Sequence, residues 1–212
     1  MAENDFDSSE VWDEYDWERF LQEQDRNTEK YLGLLEQYMD HPERDEIIAR
    51  EMGWAYYNDE ECEVEVSIGF QAEEDFSEFE KSEFEKFSDS PIYQETVRFH
   101  NMINSWLEKH PHVKEHPEAI RLTACSAICG AKLAAALCGE DQAEIGMTIA
   151  YLKRALKTAN DSLQAITCLF QIKLLTPRQK GILTRQLFCV RDPVIEFIGN
   201  YRAEWRRRYG PL

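Results

Sequence analysis

Three features of the chain have residue types that could do chemistry, a histidine-rich connection, a basic aromatic helix end and an acidic phenylalanine-bearing stretch, and each sets a demand on the elements around it. His110, His112 and His116 crowd one connection, and a His-x-His pair followed by a third imidazole can surround a zinc ion. Pro111 and Pro117 break the helical pattern at the same point, which favours a polar, exposed loop over a metal site. A carboxylate-bridged di-iron site would need inward glutamates with Glu-x-x-His pairs on two helices, and no Glu-x-x-His occurs in the sequence. No serine or cysteine stands in a nucleophile elbow, and none of the nine glycines falls in a GxGxxG or P-loop arrangement. The residues therefore nominate no catalytic group, no metal ligand and no cofactor.

Two non-catalytic features are more suggestive. In "NYRAEWRRRYG", Tyr201, Trp205 and Tyr209 share one helical face, with Arg202, Arg206, Arg207 and Arg208 on others. Together with Lys153, Arg154 and Lys157 these arginines form a candidate basic surface, and aromatic stacking beside arginine is one route to single-stranded nucleic acid. The competing reading is equally physical: cations complement the dipole at a helix C-terminus, and the aromatics pack inward. The other feature is the acidic stretch 59–89, which holds 13 acids and two lysines between regularly placed phenylalanines. It reads as a solvated tether, as a mimic of a phosphate backbone, or as a strip that docks on the chain or on a partner. A purely solvated tether has no use for Phe76, Phe79, Phe84 and Phe87, so part of 76–87 is expected to pack.

Charge divides the chain near residue 90. Residues 1–89 carry 30 acids and 7 bases, whereas residues 90–212 carry 11 acids and 17 bases. The acidic part is a poor partner for a polyanion, and the basic part leaves that option open. The start of the chain has no charged segment followed by an apolar stretch, and the longest uninterrupted apolar run is "LAAALC" at 133–138. A soluble, cytoplasmic protein with no membrane partner is expected. Its six cysteines form no CxxC pair and read as reduced core thiols, and Cys125 and Cys129 in particular sit four apart on an apolar helix.

The elements that must position these residues are all helical. Residues 10–39 have the period of a long amphipathic helix, and "DHPE" starts a short one that Asp40 and Glu43 would cap and Gly53 would close. "EVEVSIGF" alternates like a strand but has no partner run, so it is read as loop. "SPIY" caps a helix whose stripe is Ile92, Thr96, Phe99, Ile103 and Trp106. Residues 118–138 are apolar over most of their circumference and rich in alanine, which predicts a central, buried helix closed by Gly139. A further helix places Ile149, Leu152, Leu156, Ala159, Leu163, Ile166 and Phe170 inward, and "TPRQ" opens the last, which Pro193 should interrupt and Asp192 re-cap. Short connections make sequential helices antiparallel. The expectation is an all-α chain: an N-terminal helical extension at 1–58, an acidic phenylalanine-bearing linker at 59–89, and an up-down four-helix bundle at 90–209.

"IYQETVRFHNMINSWLEKHP", the small-residue helix ending "AAALCGE", "IGMTIAYLKRALKTANDSLQAI" and the closing amphipathic helix resemble, in order and texture, a known four-helix-bundle family. It comprises the proteins encoded in intervening sequences of large-subunit ribosomal RNA genes, with their relatives, the accessory proteins of diversity-generating retroelements. The resemblance covers about residues 91–206. It implies a compact, partner-binding bundle able to self-associate, and in the retroelement relatives a basic surface contacts nucleic acid and a reverse transcriptase. Where the family carries a basic, serine-containing run in its second helix, this chain has "TACSAICGAKL". The residues and the resemblance together point to a non-enzymatic interaction or assembly module binding a protein or itself. The alternative is a nucleic-acid-binding bundle that its acidic N-terminal region inhibits.

Overall fold

The computed structural model describes residues 11–54, 87–138 and 144–210, and among them every regular element is helical. The helices are α1 (Glu14–Gln37), α2 (Arg44–Met52), α3 (Pro91–Glu108), α4 (Pro117–Leu137), α5 (Ile145–Gln171) and α6 (Pro177–Tyr209), with a 3-10 turn at Pro111–Val113. The expected loop at 63–70, all of the 76–87 phenylalanine stretch except Phe87, and the Gly139 cap lie outside the described residues. The chain forms two compact units, and their division falls inside α1, between Trp17 and Glu18.

Within the smaller unit, α1 and α2 are tied by Lys30 Nζ, which donates to the Glu51 carbonyl at 2.6 Å, and by Tyr31 stacked on Trp54 at 5.7 Å. Helix α2 ends as expected on Gly53, whose φ of 73° is the left-handed conformation that glycine adopts without steric cost. Its start differs from expectation. The helix begins at Arg44 after Glu43, which makes no side-chain cap bond; instead Glu43 N donates to His41 Nδ1 at 3.1 Å. The Asp40–Glu43 stretch is spent as a turn, so Asp40 does not cap.

The larger unit joins residues 11–17 to everything from 87 onward. Its four long helices contact one another in a cycle: α3 with α4, α4 with α5, α5 with α6, and α6 with α3. All five residues of the α3 stripe, Ile92, Thr96, Phe99, Ile103 and Trp106, are buried. They meet Leu122 and Leu133 of α4, Ile149, Leu152 and Ile166 of α5, and Leu187 and Val190 of α6 in one continuous core. Polar ties stitch neighbours at the rim: Gln186 Nε2 to Glu95 Oε2 at 2.6 Å, Arg121 Nη2 to Gln164 Oε1 at 2.6 Å, and Arg191 Nε to Asn160 Oδ1 at 3.1 Å.

Helix starts follow local chemistry. Thr176 and Gln179 form the expected capping box, Thr176 Oγ1 accepting from Gln179 N at 3.2 Å and Gln179 Oε1 from Thr176 N at 2.8 Å. At α1 the same device appears in acidic form, where Asp13 Oδ1 accepts from Tyr15 N and Asp16 N while Asp16 Oδ2 accepts from Asp13 N. Ser90 precedes α3 with extended backbone but makes no side-chain cap bond, and Pro91 takes the first turn.

Two expectations are corrected. Helix α6 runs unbroken through Pro193, so Asp192 caps nothing. Leu187 and Val190 before the proline and Val194 and Ile198 after it are all buried in the same core. Packing both halves on one face outweighs the roughly 3 kcal/mol that an interior proline costs. Helix α4, although apolar over most of its circumference, is not buried to the same extent. Ala119, Leu122, Ser126, Cys129, Leu133 and Ala136 face the core, but Ile120, Ala124, Ala127, Ile128 and Ala131 are exposed. By length and composition α4 could cross a membrane; here its inward stripe is packed against α3 and α5.

The fully buried position Leu152 and the cap Thr176 test this account together. Leu152→Ala is expected to lower unfolding free energy by about 2–5 kcal/mol and Thr176→Ala by about 1 kcal/mol in urea titrations followed by circular dichroism. Equal losses would mean that core packing does not dominate.

Candidate functional site

Two places in the larger unit concentrate features beyond ordinary packing. One is a buried ion-pair cluster that fixes the N-terminal segment, and the other is the exposed face shared by α3 and α4.

The cluster is centred on Glu14, whose side chain is 1% exposed although it is one of the chain's many acids. Arg202 of α6 donates to both carboxylate oxygens, Nη2 to Oε1 at 2.6 Å and Nε to Oε2 at 2.9 Å, in the two-point geometry that guanidinium and carboxylate favour. Lys153 of α5 approaches Oε1 at 3.4 Å and lies over the Tyr15 ring at 4.7 Å. Burial pushes the Glu14 pKa up, but the Arg202 hydrogen bond and the charges of Lys153 and Arg202 outweigh it. The carboxyl is held below its ordinary range and stays ionised. Gly146, at the start of α5, completes the seat: a Cβ there would collide with the Trp12 carbonyl and come within 2.9 Å of the Asp13 carbonyl carbon. The sequence marks none of this. Glu14 is one acid among many, and the only hints are the aromatics around it, Trp12 packing edge-on to Trp17 at 5.0 Å, and a glycine beside a helix start.

The candidate basic surface is thereby divided. Lys153 and Arg202 are turned onto Glu14. Arg207 and Arg208 both bind Glu204, holding its pKa down to about 2 through those hydrogen bonds, and Arg206 Nε donates to the Arg202 carbonyl. Lys157 is exposed and Arg154 half-buried on α5. The aromatics of α6 are unequally placed: Trp205 is buried, Tyr201 lies against the core, and Tyr209, 4.7 Å from Trp205, is 42% exposed. The three rings therefore do not form an open stacking ladder. Of the candidate docking aromatics, Phe87 is buried with its ring edge-on to Tyr93 at 4.9 Å, whereas Phe76, Phe79 and Phe84 lie outside the described residues.

The histidines are occupied locally. His110 Nδ1 is 2.7 Å from the Trp106 carbonyl and so donates to it, and His116 Nδ1 accepts from Glu118 N at 3.2 Å. Among the described residues no three His, Cys, Asp or Glu side chains converge on a common point. Ser126 donates to the Thr123 carbonyl at 2.8 Å, so its 2.7 Å contact with His100 Nδ1 makes the imidazole the donor. That polarity is the reverse of a base activating a hydroxyl. Of the described cysteines only Cys129 is fully buried, its thiol pushed up to about 11 by burial, and Cys189 is exposed, which corrects the expectation that all are core thiols.

The α3/α4 face is different in kind. Across the 21 residues of α4, the exposed positions Ile120, Ala124, Ala127, Ile128 and Ala131, with half-buried Ala135 beside them, carry no charge, and the two isoleucines are 55% and 44% exposed. Beside this stripe two shallow concavities, of about 560 and 270 Å³, run along the seam with α3 and reach Val97, itself 40% exposed, and Tyr93. Charged residues of α4 sit off the stripe, Glu118 paired with Arg121, and Lys132 over the Tyr151 ring.

The chain matches no protein-family model, no curated protein and no solved structure. Its reading therefore rests on its own geometry.

Removing the Glu14 charge by Glu14→Gln should cost about 1–2 kcal/mol, the lower part of the range for a charged hydrogen bond because both cations are partly exposed. The folded pKa lies below the unfolded one, so the wild-type advantage should be full above the ordinary carboxylate pKa, about 4.3, and vanish as pH falls through the folded value. Melting temperatures of both proteins across pH 2–8 measure it, and a gap that stays constant down to the lowest pH would contradict the role given to Glu14.

Proposed function

We propose that the chain is a non-enzymatic interaction module whose four long helices form an antiparallel up-down bundle and whose α3/α4 face docks an apolar helix. The bundle topology is supported by the short α3–α4 and α5–α6 connections and by the cycle of contacts, which is how four antiparallel neighbours close a core. The docking role is carried by one observation: an uncharged, exposed stripe of Ile120, Ala124, Ala127, Ile128 and Ala131 on a protein whose sequence is 31% charged. Contiguous exposed apolar surface of this kind marks binding faces, and small side chains let a partner's backbone come close. A cytoplasmic setting follows from the same reading as the sequence gives, with reduced thiols and no membrane partner.

Replacing Ala127 in cells by a photo-crosslinking benzoylphenylalanine tests the face directly. Adducts, with another protein or another copy, should form at position 127 and not at the exposed Lys157 on α5. Equal or no capture at both positions would dismiss the docking role.

A second reading has a specific observation behind it. Glu14 occupies Arg202 and Lys153, so an acidic N-terminal residue covers part of the basic surface and would hold back nucleic acid. On this reading full-length Glu14→Gln should bind single-stranded RNA more tightly than wild type at low salt, with the gain falling as salt rises. Equal binding by the two proteins removes the inhibitory role, and no binding by either removes nucleic acid.

A further inference from the structure

We infer that the occupant of the α3/α4 face is a second copy of the same chain, with the two α4 helices crossing antiparallel about a two-fold axis between Ala127 and Ile128. This rests on the reading of that face as a docking surface and gives it a partner.

The argument is self-complementarity. The outward residues of α4 follow one another at steps of four, three and four: Ile120, Ala124, Ala127 and Ala131, with Ile128 and Ala135 alongside. In an isologous pair a two-fold axis makes residue i meet j and j meet i. An axis between 127 and 128 sets Ile120 against Ala135 of the second copy, Ala124 against its Ala131, and Ala127 against its Ile128. Each large exposed side chain then faces an alanine, at the axis as well as at the ends, and the pairs between them are alanine on alanine. Knobs and gaps match without any rearrangement of the helix. No charged residue of α4 lies among these positions; Glu108 and Lys114, which line the α3 end of the seam, are exposed charges that such a contact must leave at its solvent rim.

Area is consistent with a dimer. Helix α4, 21 residues long, measures about 31 Å at 1.5 Å per residue, and two packed helices present a face roughly 18 Å wide. That is on the order of 500–600 Å² per copy if Val97 and the α3 side of the seam take part, which reaches the lower bound of about 1,000 Å² in total for a specific interface. Helix α4 alone would supply about half of this, so the flank of α3 is needed as well as the stripe.

The test uses the full chain. Size-exclusion chromatography with light scattering should give twice the 24.9 kDa chain mass at tens of micromolar. Ala127→Glu and Ala131→Glu should each return a monomer with unchanged helicity, while Ile182→Glu, on an equally exposed apolar site of α6, should leave the dimer intact. The register is read by mixing differently tagged Ala124→Cys and Ala131→Cys chains under mild oxidation: the cross-variant disulfide should exceed either same-variant product roughly tenfold, because only that pair is held together. A monomer at all concentrations, a dimer indifferent to both glutamates, or same-variant disulfides in equal yield each overturns the inference. If the chain is monomeric but position 127 still captures another protein, the docking face stands and the second copy falls. If position 127 captures nothing, both fall.

Discussion

A helix that touches two neighbours can bury only about half of its circumference, and the larger unit is organised by that limit. Each of α3 to α6 packs against two others, so each has one stripe to spend on the core and must show the rest. For α3 and α5 the sequence largely obeys the division, with Ile103, Ile149, Leu152 and Ile166 fully enclosed and Val97 of α3 the exposed apolar exception. Helix α4 has more apolar residues than its two neighbours can cover. Its surplus is the stripe from Ile120 to Ala135, a feature that core packing neither requires nor explains.

The same economy governs charge. A carboxylate taken out of water is costly unless paired, and Glu14 is tolerated because Arg202 satisfies both of its oxygens while Lys153 adds a second cation. The cluster fixes residues 11–17 to α5 and α6 with a geometry that a surface ion pair lacks, and Gly146 leaves room for the backbone that carries it. Elsewhere charge is used lightly, as in Glu204 with Arg207 and Arg208 on the solvent side of α6.

Much of the helical layout was legible in the sequence because it is written in local terms. The α3 stripe, the Thr176–Gln179 box and the Gly53 stop depend on residues three or four apart, and all three hold. Two failures are local, Asp40 and Ser90 providing no side-chain cap, and the larger ones came where distant packing decides. Pro193 should stop a helix, yet Leu187, Val190, Val194 and Ile198 share one core. Apolarity over most of a circumference reads as central burial when no neighbour count is known, and α4 has only two neighbours to pack against. The candidate basic residues were correctly placed on two helices, but their partners were hidden: nothing within a few residues of Arg202 announces a carboxylate 188 positions away. Phe87 packs, as the phenylalanine spacing suggested for part of its stretch.

That separation has a consequence for how the chain is made. Helix pairs such as α3 with α4 and α5 with α6 join segments a few tens of residues apart and can zip as they emerge during synthesis. Glu14 leaves the ribosome 188 residues before Arg202. Until Arg202 follows, the carboxylate stays in water, and the Trp12–Asp13 backbone has no seat until Gly146 and α5 exist. The segment around Glu14 therefore closes only after α6 has been made, as an event that reports the arrival of that helix.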